Sequence, residues 1–579
     1  MTDLSKLSKI EGIKDNSLFL RGAMPEELAD GNDNFGHDSE VLLKFHGTYQ
    51  QDDRDERGAG GTTDDGKKKK SYIFMVRTRI PGGKLTSAQM LAELDLCDEL
   101  ANATLRITSR QGLQLHGVLK SNLKESIKRI NDIQLSTLGA CGDVNRNVMC
   151  CPAPYKNAAY TQVQELADQI ANHFAPRTKA YHELWLTDVA TGQKELAGGA
   201  TEGDGFDVEP IYGKHYMPRK FKMGIAFAHD NCIDVYTHDL GLITITEGEK
   251  IVGYNVVVGG GSGVTPSNKK TFPTLAKMLT YATPENVMQV IEAVFKVQRD
   301  FGNREDRKRA RLKYVVHDWG IEKFKAKVEE YFGSSLPAPH PTDVHGFNDH
   351  MGWDEQGDGR WFYGLNIENG RIKDTPEMQL KTAIREVCRT YNPCVRLTAH
   401  QSIIFGDIEA KDRSGLEAIL KKHGVKLTAE ISEVRRWSMA CVAWPTCGLS
   451  ITESERALPG VLDVMEAELA RLGLEKEQFT VRMTGCPNGC ARPYNSDIGF
   501  VGKARGKYTV FVGGRLLGDR LGFIFKDMIL EAEITPTLRP LFVYFKQDRQ
   551  PKETFGDFCH RKGLEDLLAY AEQFAANGM

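Results

Sequence analysis

The chain has 579 residues, of which 26% are charged and 41% hydrophobic, a balance typical of a folded globular protein rather than a disordered or fibrous one. Its 75 Lys and Arg residues are nearly matched by 78 Asp and Glu residues, so the net charge of -3 provides no general attraction to nucleic acid or anionic membranes. No apolar run approaches the ~20 residues of a membrane span, and the first residues lack the pattern of a signal peptide, which predicts a cytoplasmic location.

The first part of the chain alternates between predicted strands and helices. The N-terminal ~40 residues are polar and predict an extended arm, and the glycine- and lysine-rich stretch from Gly58 to Lys70 predicts a mobile loop. Residues 72–80 are predicted to form a strand that ends before Pro81, and apolar residues at helical spacing follow from Met90. Residues 105–119 are predicted to form two short strands joined around Arg110.

Two later segments carry recognisable signals. A helix is predicted to begin at Pro284, with Thr283 as its N-cap, and to end at Phe301 before Gly302. The glycine-rich run at 259–263 lacks the residue spacing of a nucleotide-binding phosphate loop, so we interpret it as a turn near a cofactor.

The chain contains an internal repeat. The segment LRITSRQGLQLHGV at Leu105 aligns without a gap with VRLTAHQSIIFGDI at Val395. A second pair of similar segments begins at Tyr236 and at Tyr494. The repeat predicts two related halves with one site between them.

Two compact pairs stand out among the 12 cysteines: Cys441 with Cys447, and Cys486 with Cys490. Nearby glycines and prolines predict tight loops that turn the thiols towards one centre. The spacing suits a [4Fe–4S] cluster, while zinc or ordinary buried thiols stay as alternatives. The other eight are interpreted as structural, although Cys150 and Cys151 are left as either inert or reactive thiols.

The cysteine segments CVAWPTC and TGCPNGCARPYNSDIGFVGK resemble the sirohaem and [4Fe–4S] signature of the sulfite and nitrite reductases. Other segments resemble the haemoprotein (beta) subunits of assimilatory NADPH-linked sulfite reductases: HGTYQQDDRDERG at His46, IPGGKLT at Ile80, NRNVMC at Asn145, PRKFKM at Pro218 and FGDFCHRKG at Phe555. The resemblance implies an α+β, internally duplicated sulfite/nitrite reductase fold, with pseudo-two-fold halves of mixed sheets and helices around a central cofactor.

The resemblance also implies the domain boundaries. They are an N-terminal arm and mobile loop (1–70), a first ferredoxin-like repeat (71–150), a first sirohaem-binding half (151–345), a second ferredoxin-like repeat (346–435) and a second half that carries the cluster cysteines (436–579). The two repeats, 71–150 and 355–435, would together form a parachute-like domain.

The function implied is that of a haemoprotein subunit that reduces sulfite to sulfide with six electrons, in sulfate assimilation and cysteine biosynthesis. Cys441, Cys447, Cys486 and Cys490 would bind the [4Fe–4S] cluster, and Cys490 would also bridge to the sirohaem iron. Because the chain shows no flavin or NADPH fingerprint, an NADPH-dependent flavoprotein (alpha) subunit is the implied electron donor.

Matching the family motifs assigns two further groups of residues. The predicted binding residues for the sulfite anion are Arg77, Arg146, Lys220 and Lys222, with Arg79 on the same strand face as Arg77 and able to replace it. The predicted sirohaem-binding residues are Arg106, Thr108, Arg110, Gln114, His116 and Asn488, with His116 as a carboxylate or packing partner rather than an iron ligand. For Arg307, Lys308, Arg309 and Arg311, additional positive charge at the cofactor and a solvated helix face stay as equal alternatives, while Lys269 and Lys270 are available to the cofactor carboxylates.

Three other functions compete with this interpretation. The nearest is a ferredoxin-dependent sulfite or nitrite reductase of the same superfamily. A zinc-stapled binding protein would use the four cysteines but leave the paired lysines without a joint purpose. An RNA-binding module is disfavoured by the net charge and by the lack of an aromatic-basic RNA motif.

Overall fold

A computed structural model of the chain describes residues 6–63, 65–178, 180, 184–187, 191, 194–198 and 209–576. Parts of the predicted domains 1–70, 151–345 and 436–579 lie outside these residues, and the predicted domain boundaries stay predictions. None of the helices in the described part of the chain combines the length and the apolar character that crossing a membrane requires.

Helices and strands alternate along the described residues. The helices are α1 Lys9–Asp15, α2 Met24–Leu28, α3 His37–Leu43, α4 Ser87–Leu100, α5 Leu123–Asp132, α6 Ala158–His173, α7 Val287–Phe301, α8 Leu312–Trp319, α9 Ile321–Phe332, α10 Leu380–Tyr391, α11 Arg413–Lys422, α12 Glu433–Arg436, α13 Leu458–Leu472, α14 Ile534–Asp548 and α15 Phe555–Ala576. The strands are β1 Thr48–Asp52, β2 Tyr72–Thr78, β3 Lys84–Leu85, β4 Leu105–Ile107, β5 Leu113–Val118, β6 Met149–Cys150, β7 Leu184–Thr187, β8 Lys194–Gly198, β9 Met223–Phe227, β10 Leu240–Glu247, β11 Lys250–Val258, β12 Lys277–Ala282, β13 Gly352–Glu355, β14 Trp361–Leu365, β15 Arg371–Ile372, β16 Cys394–Leu397, β17 Ile403–Ile408, β18 Ser438–Ala440, β19 Val481–Thr484, β20 Ile498–Ala504, β21 Lys507–Val512 and β22 Phe523–Leu530.

The two repeats around β4 and β16 exchange short strands. Their sheets have the orders β1-β2-β5-β4-β15 and β13-β14-β17-β16-β3. The strand β3, which follows a 3-10 turn at Pro81–Gly83, pairs with β16 of the other repeat. The strand β15, which follows the equivalent turn at Glu368–Gly370, pairs with β4. Each repeat therefore completes the other's sheet.

Two glycines allow this exchange. Gly83 and Gly370 have φ values of +70° and +75°. A Cβ atom would lie 2.4 Å from the carbonyl oxygen of Leu397 at Gly83, and 2.2 Å from that of Ile107 at Gly370. Each glycine backbone thus approaches a strand of the other repeat more closely than any side chain permits.

The other two large sheets have the same topology. Their orders are β12-β11-β10-β9-β6 and β18-β19-β20-β21-β22. In each sheet the first three strands are parallel to one another: β6, β9 and β10 in one sheet, and β18, β19 and β20 in the other. The last two strands, β11 and β12 or β21 and β22, each pair antiparallel with the strand before them. Loops that follow the parallel strands leave the same edge of each sheet, which is where sites commonly form.

Hydrophobic cores lie between these sheets and their helices. One core combines residues of α4 and β4 with residues of α10 and β17, so the two ferredoxin-like repeats share it. A second core packs α6 and α7 on the β6–β12 sheet, and a third packs α13, α14 and α15 on the β18–β22 sheet.

The helix predicted from Pro284 begins later than expected. The structure starts α7 at Val287 and ends it at Phe301, as predicted. The side-chain oxygen of Asn286 accepts a hydrogen bond from the backbone N–H of Thr283 (2.9 Å). The carbonyl oxygen of Thr283 accepts hydrogen bonds from the N–H groups of Asn286 (3.2 Å) and Val287 (3.0 Å), so Pro284 lies in a turn that leads directly into α7.

Candidate active site

Four cysteines lie in the loops that follow β18 and β19, and we call them the cysteine site: Cys441, Cys447, Cys486 and Cys490. All 12 cysteines are described, and Cys490 is the one that is exposed. Burial, together with the Cys490 thiol, raises the pKa of Cys486 to about 12 and also raises the pKa values of Cys441 and Cys447. The four thiols are therefore near enough to influence one another, and a bound metal would have to displace their protons.

Backbone and amide donors point at two of these sulfur atoms. The N–H of Gly485 donates to Sγ of Cys441 (3.4 Å), and Nδ2 of Asn488 donates to Sγ of Cys486 (3.5 Å). Asn488 was predicted to contact sirohaem, and the structure places it between the second pair of cysteines. Such donors stabilise thiolates, which is the form that binds metal.

Arg54 holds the first cysteine loop in place. Its guanidinium donates to the carbonyl oxygens of Pro445 (2.8 Å), Cys447 (2.7 Å) and Ser450 (3.0 Å), and it stacks 3.7 Å from the ring centroid of Trp444. No sequence motif singles out Arg54, which lies in the segment HGTYQQDDRDERG at His46. No spacing signal links two residues almost 400 positions apart, so its role was hidden.

Lys220 and Lys222 lie near enough to Cys490 for its thiol to affect the pKa values of both. Burial, followed by the positive charges of Arg311 and Arg219, lowers the pKa of Lys220 to about 7. Burial and Lys220 lower the pKa of Lys222 far below its ordinary value, while the Cys490 thiol acts in the opposite direction on both lysines. Two lysine side chains so close together resist being charged at the same time, and a bound anion between them relieves that repulsion.

The predicted arginine of the NRN motif lies next to this pair. The backbone N–H of Arg146 donates to the carbonyl oxygen of Phe221 (2.8 Å), the residue between the two lysines. Its side chain is buried, and Nε donates to the carbonyl oxygen of Gly142 (2.9 Å).

Arg77 lies on β2 and contacts a different cysteine. Its Nη1 donates to Sγ of Cys141 (2.8 Å), and its guanidinium lies 5.9 Å from the ring centroid of Tyr49. Burial would lower the pKa of Arg77, but Cys141 and Tyr49, followed by Cys490, raise it. Arg79 differs, since its Nη1 donates to the carbonyl oxygen of Ala171 (3.4 Å).

The predicted sirohaem-binding strand pair has one engaged and one partly free arginine. Arg106 is buried and donates to Glu455 (2.9 Å) and to the carbonyl oxygen of Ala440 (2.9 Å). Arg110 donates from Nη2 to the carbonyl oxygen of Met223 (3.3 Å), but its buried Nε has no partner among the described residues. Burial, followed by the charge of Arg146, lowers the pKa of Arg110 to about 9.

The remaining members of this group are buried near the two arginines. The hydroxyl of Thr108 accepts from the backbone N–H groups of Arg110 (3.2 Å) and Gly112 (3.1 Å) and so shapes the turn. When the amide oxygen of Gln114 is turned towards Arg77, it accepts a hydrogen bond from Nε of Arg77 (3.0 Å). Both ring nitrogens of His116 are buried without a partner among the described residues.

Several of the additional basic residues are already paired. Arg307 donates to Asp143 (2.6 and 2.8 Å), Arg309 to Asp318 (2.7 Å) and Arg311 to Asp239 (2.6 Å), while Lys308 donates to Ser267 (3.3 Å). Lys269 and Lys270 are exposed.

The glycine-rich run turns carbonyl groups inwards. Nζ of Lys313 donates to the carbonyl oxygens of Gly261 (3.1 Å) and Gly263 (2.8 Å). The next residue, Val264, donates its N–H to the carbonyl oxygen of Pro487 (2.9 Å). The run therefore supports the second cysteine loop. It directs carbonyl oxygens at a lysine, whereas a phosphate loop directs backbone N–H groups at its ligand.

Known proteins match the same duplicated segments. The family model described as the nitrite and sulphite reductase 4Fe-4S domain matches residues 141–336 and 434–577, and the nitrite/sulfite reductase ferredoxin-like half domain matches residues 65–133 and 354–423. The NADPH sulfite reductase hemoprotein beta-component of Staphylococcus saprophyticus is 43% identical over 573 residues, covering 98% of each chain. The ferredoxin sulfite reductase of Synechococcus elongatus is 42% identical over 578 residues, covering 98% of this chain and 92% of its own. The solved structure of the Mycobacterium tuberculosis NirA protein covers 97% of each chain at 26% identity, with a TM-score of 0.78.

Proposed function

Because the chain belongs to the nitrite and sulphite reductase family, we propose that it reduces sulfite to sulfide as the haemoprotein component of an assimilatory sulfite reductase. The predicted duplicated α+β fold is confirmed, since each family model matches the chain twice. Six electrons and a supply of protons are needed for each sulfite reduced. The work of this chain is therefore to hold the redox groups, bind the anion and provide protons.

One observation carries the proposal. Lys220 and Lys222 are partly exposed and lie close enough to the exposed Cys490 for its charge to act on both. A site that binds a small oxyanion beside a redox group held by thiols needs basic side chains close to metal-binding thiols. A zinc-stapled binding protein has no use for it.

The residues fit the two cofactors that the family implies, sirohaem and a [4Fe–4S] cluster. Four thiols gathered by tight loops suit the cluster, with Cys441, Cys447, Cys486 and Cys490 as its ligands. The Nε of buried Arg110 has no partner among the described residues, and burial, together with several neighbouring positive charges, lowers the pKa values of Arg110 and Lys220, so basic groups are available to the carboxylates of sirohaem. When bound, these two groups supply electrons to the substrate.

The side chains at the site bind the anion and handle protons. Arg77 and Arg146 carry permanent charge and orient the oxyanion. A bound anion raises the pKa of Lys220 from its value of about 7, so that the lysine gains a proton as sulfite arrives. Lys220 can then donate that proton to an oxygen that leaves as water.

For the electron donor we propose an NADPH-dependent flavoprotein. The Staphylococcus saprophyticus and Geobacillus thermodenitrificans relatives, each 43% identical, are named as components of NADPH-dependent enzymes. A ferredoxin donor is the second candidate, favoured by the 42% identical Synechococcus elongatus protein. The cytoplasm is the proposed location, because the free thiols that a cluster needs persist there.

The test is sulfite turnover by the protein produced in a host that makes sirohaem. Reduced methyl viologen replaces the natural donor, and sulfide is measured together with the visible spectrum before and after sulfite is added. We expect haem-like bands that shift with sulfite, and sulfide formation. A colourless protein from this host would overturn the proposal. Comparing the flavoprotein with NADPH against reduced ferredoxin then decides the donor.

A further inference from the structure

A second group of metal-ligating side chains lies apart from the cysteine site. Cys151, Asp230, Cys232 and His350 are all buried, and one ligand atom from each lies within 4.8 Å of the others. Sγ of Cys151 is 3.0 Å from Oδ2 of Asp230 and 3.3 Å from Nε2 of His350, and that nitrogen is 2.9 Å from the same carboxylate oxygen. We call these four residues the buried cluster.

The duplication of the chain relates the buried cluster to the cysteine site. Aligning Tyr236 with Tyr494 brings Cys232 to the position of Cys490, three residues before the start of an equivalent turn in each half. Both cysteines lie in the loop that joins the second strand of the sheet to the third, β9 to β10 and β19 to β20.

The first strands give the second correspondence. Met149 of β6 pairs with Gly224 of β9, and Met439 of β18 pairs with Arg482 of β19. Gly224 and Arg482 occupy equivalent positions in their two sheets. The residue after each of these strands is a cysteine, Cys151 in one half and Cys441 in the other. Two thiols of the buried cluster therefore occupy positions equivalent to two thiols of the cysteine site.

The other two ligands arise from different parts of the fold. Oδ1 of Asp230 accepts hydrogen bonds from the backbone N–H groups of Cys232 (3.1 Å) and Asn348 (3.1 Å). These contacts fix the carboxylate and leave Oδ2 facing the thiol and imidazole, as outer partners of metal ligands commonly do. Oδ1 of Asn348 accepts from the N–H of His350 (2.8 Å) and holds that segment in place.

We propose that Cys151, Asp230, Cys232 and His350 bind a zinc ion. Two sulfur atoms, one imidazole nitrogen and one carboxylate oxygen form a four-coordinate donor set that Zn²⁺ accepts. Zinc–ligand distances of ~2.3 Å for sulfur and ~2.0 Å for nitrogen or oxygen place tetrahedral ligand atoms roughly 3.3–3.8 Å apart. The separations among the Cys151, Asp230 and His350 atoms, 2.9–3.3 Å, need to widen by only a few tenths of an ångström, and the Cys232 sulfur lies within 4.8 Å of all three.

The same geometry disfavours a nucleophilic cysteine. In a cysteine–histidine–carboxylate arrangement, the two ring nitrogens contact different partners. Here Nε2 of His350 faces both Cys151 and Asp230, and Nδ1 has no partner among the described residues. Instead, the Cys151 sulfur, the Asp230 carboxylate oxygen and the His350 nitrogen all lie close to one another, as the ligands of a single metal ion must.

Metal can reach the buried cluster from solvent. A cavity of about 700 Å³ is lined by Asp230 and His350, together with Tyr155, Phe347 and Glu249. The bound ion would join three segments: the loop after β6, the loop after β9 and the segment before β13. We therefore assign the ion a structural role. It would stabilise the first half at a position equivalent to that of the cysteine site in the second half.

The test is the metal content of the holoenzyme. After dialysis, inductively coupled plasma mass spectrometry should find one zinc per chain in addition to iron, and zinc-edge X-ray absorption should find two sulfur ligands at about 2.3 Å. Cys232→Ser and His350→Gln should lower the zinc content at least tenfold. The control is Cys388→Ser, because Cys388 is a buried cysteine of α10 outside both groups, and it should retain zinc.

Several results would overturn the assignment. They are wild-type protein without zinc after incubation with zinc sulfate, a zinc spectrum without sulfur ligands, iron at this position, or full zinc content in both ligand variants. If the variants do not fold, the absorption spectrum of the wild-type protein decides alone. These readouts do not depend on sulfite turnover, so they can fail while the proposed function holds.

Discussion

Arg492 and Asp234 occupy equivalent positions in the two halves and form a buried ion pair with each other. Each precedes a 3-10 turn and has left-handed backbone geometry, with φ of 54° at Arg492 and 53° at Asp234. Nε of Arg492 lies 2.5 Å from Oδ2 of Asp234, and Nη1 of Arg482 lies 2.9 Å from the same oxygen. The duplicated halves are thus joined by equivalent residues of opposite charge.

Replacing this carboxylate should destabilise the junction of the halves. Asp234→Asn leaves Arg482 and Arg492 buried without a counter-charge, which we expect to cost about 3–5 kcal/mol. The measurement is the urea midpoint followed by circular dichroism. The control is Glu409→Gln, which alters an exposed ion pair with Lys411 and should leave the midpoint unchanged. An Asn variant as stable as wild type would contradict the prediction.

The pH dependence of stability should reveal Glu93. This residue of α4 is fully buried, and its carboxyl accepts a hydrogen bond from the hydroxyl of Thr78 (2.6 Å). Burial raises the pKa of Glu93 to about 7, with the Thr78 hydrogen bond acting in the opposite direction. The folded state then holds a proton that the unfolded chain releases above pH ~4.5, so stability decreases as pH rises from ~4.5 to ~7 and the loss stays constant above that.

The variant Glu93→Gln removes this contribution. Between pH 4.5 and 8 the unfolding free energy of the wild type should fall relative to that of the variant by on the order of 3 kcal/mol, because only the wild type carries the buried carboxyl. Urea titrations at several pH values measure it. Glu125→Gln, at an exposed position of α5, is the control, and parallel profiles for Glu93→Gln and wild type would refute the assignment.

The repeated motifs and the cysteine spacing predicted much of the fold and of the site. The segments at Leu105 and Val395 form equivalent strand pairs, and the four cysteines lie in the two loops that follow β18 and β19, while their role as cluster ligands stays a prediction. The strand exchange could not be predicted, because β3 and β15 have two residues each and such lengths show no periodicity. The contact of Arg54 with the Cys447 loop joins distant parts of the chain, and only tertiary structure reveals such a pair.

Arg54 should position the cysteine loop for cluster binding. Arg54→Ala removes hydrogen bonds to three carbonyl oxygens of the loop that carries Cys447. Because hydrogen bonds from a charged donor contribute about 1.5–3 kcal/mol, we expect bleaching of the cluster absorbance by a chelator to accelerate at least tenfold. Arg57→Ala is the matched control, since Arg57 pairs with Asp52 instead. Equal bleaching rates in both variants would contradict a positioning role.

Lys222 should be needed for the substrate and dispensable for the cofactors. Removing its ammonium group in Lys222→Ala takes away one charge-assisted contact to the anion, and a loss of about 1.5–3 kcal/mol corresponds to a ten- to hundredfold lower kcat/KM for sulfite. The visible spectrum without sulfite should be retained, because the cluster ligands are unchanged. Lys214→Ala is the control, as Lys214 is exposed and paired with Asp15 (2.8 Å). Full turnover in Lys222→Ala, or loss of its cofactor bands, would show that the lysine does not act on the anion. Partial recovery of turnover in Lys222→Arg would support a role for positive charge at this position.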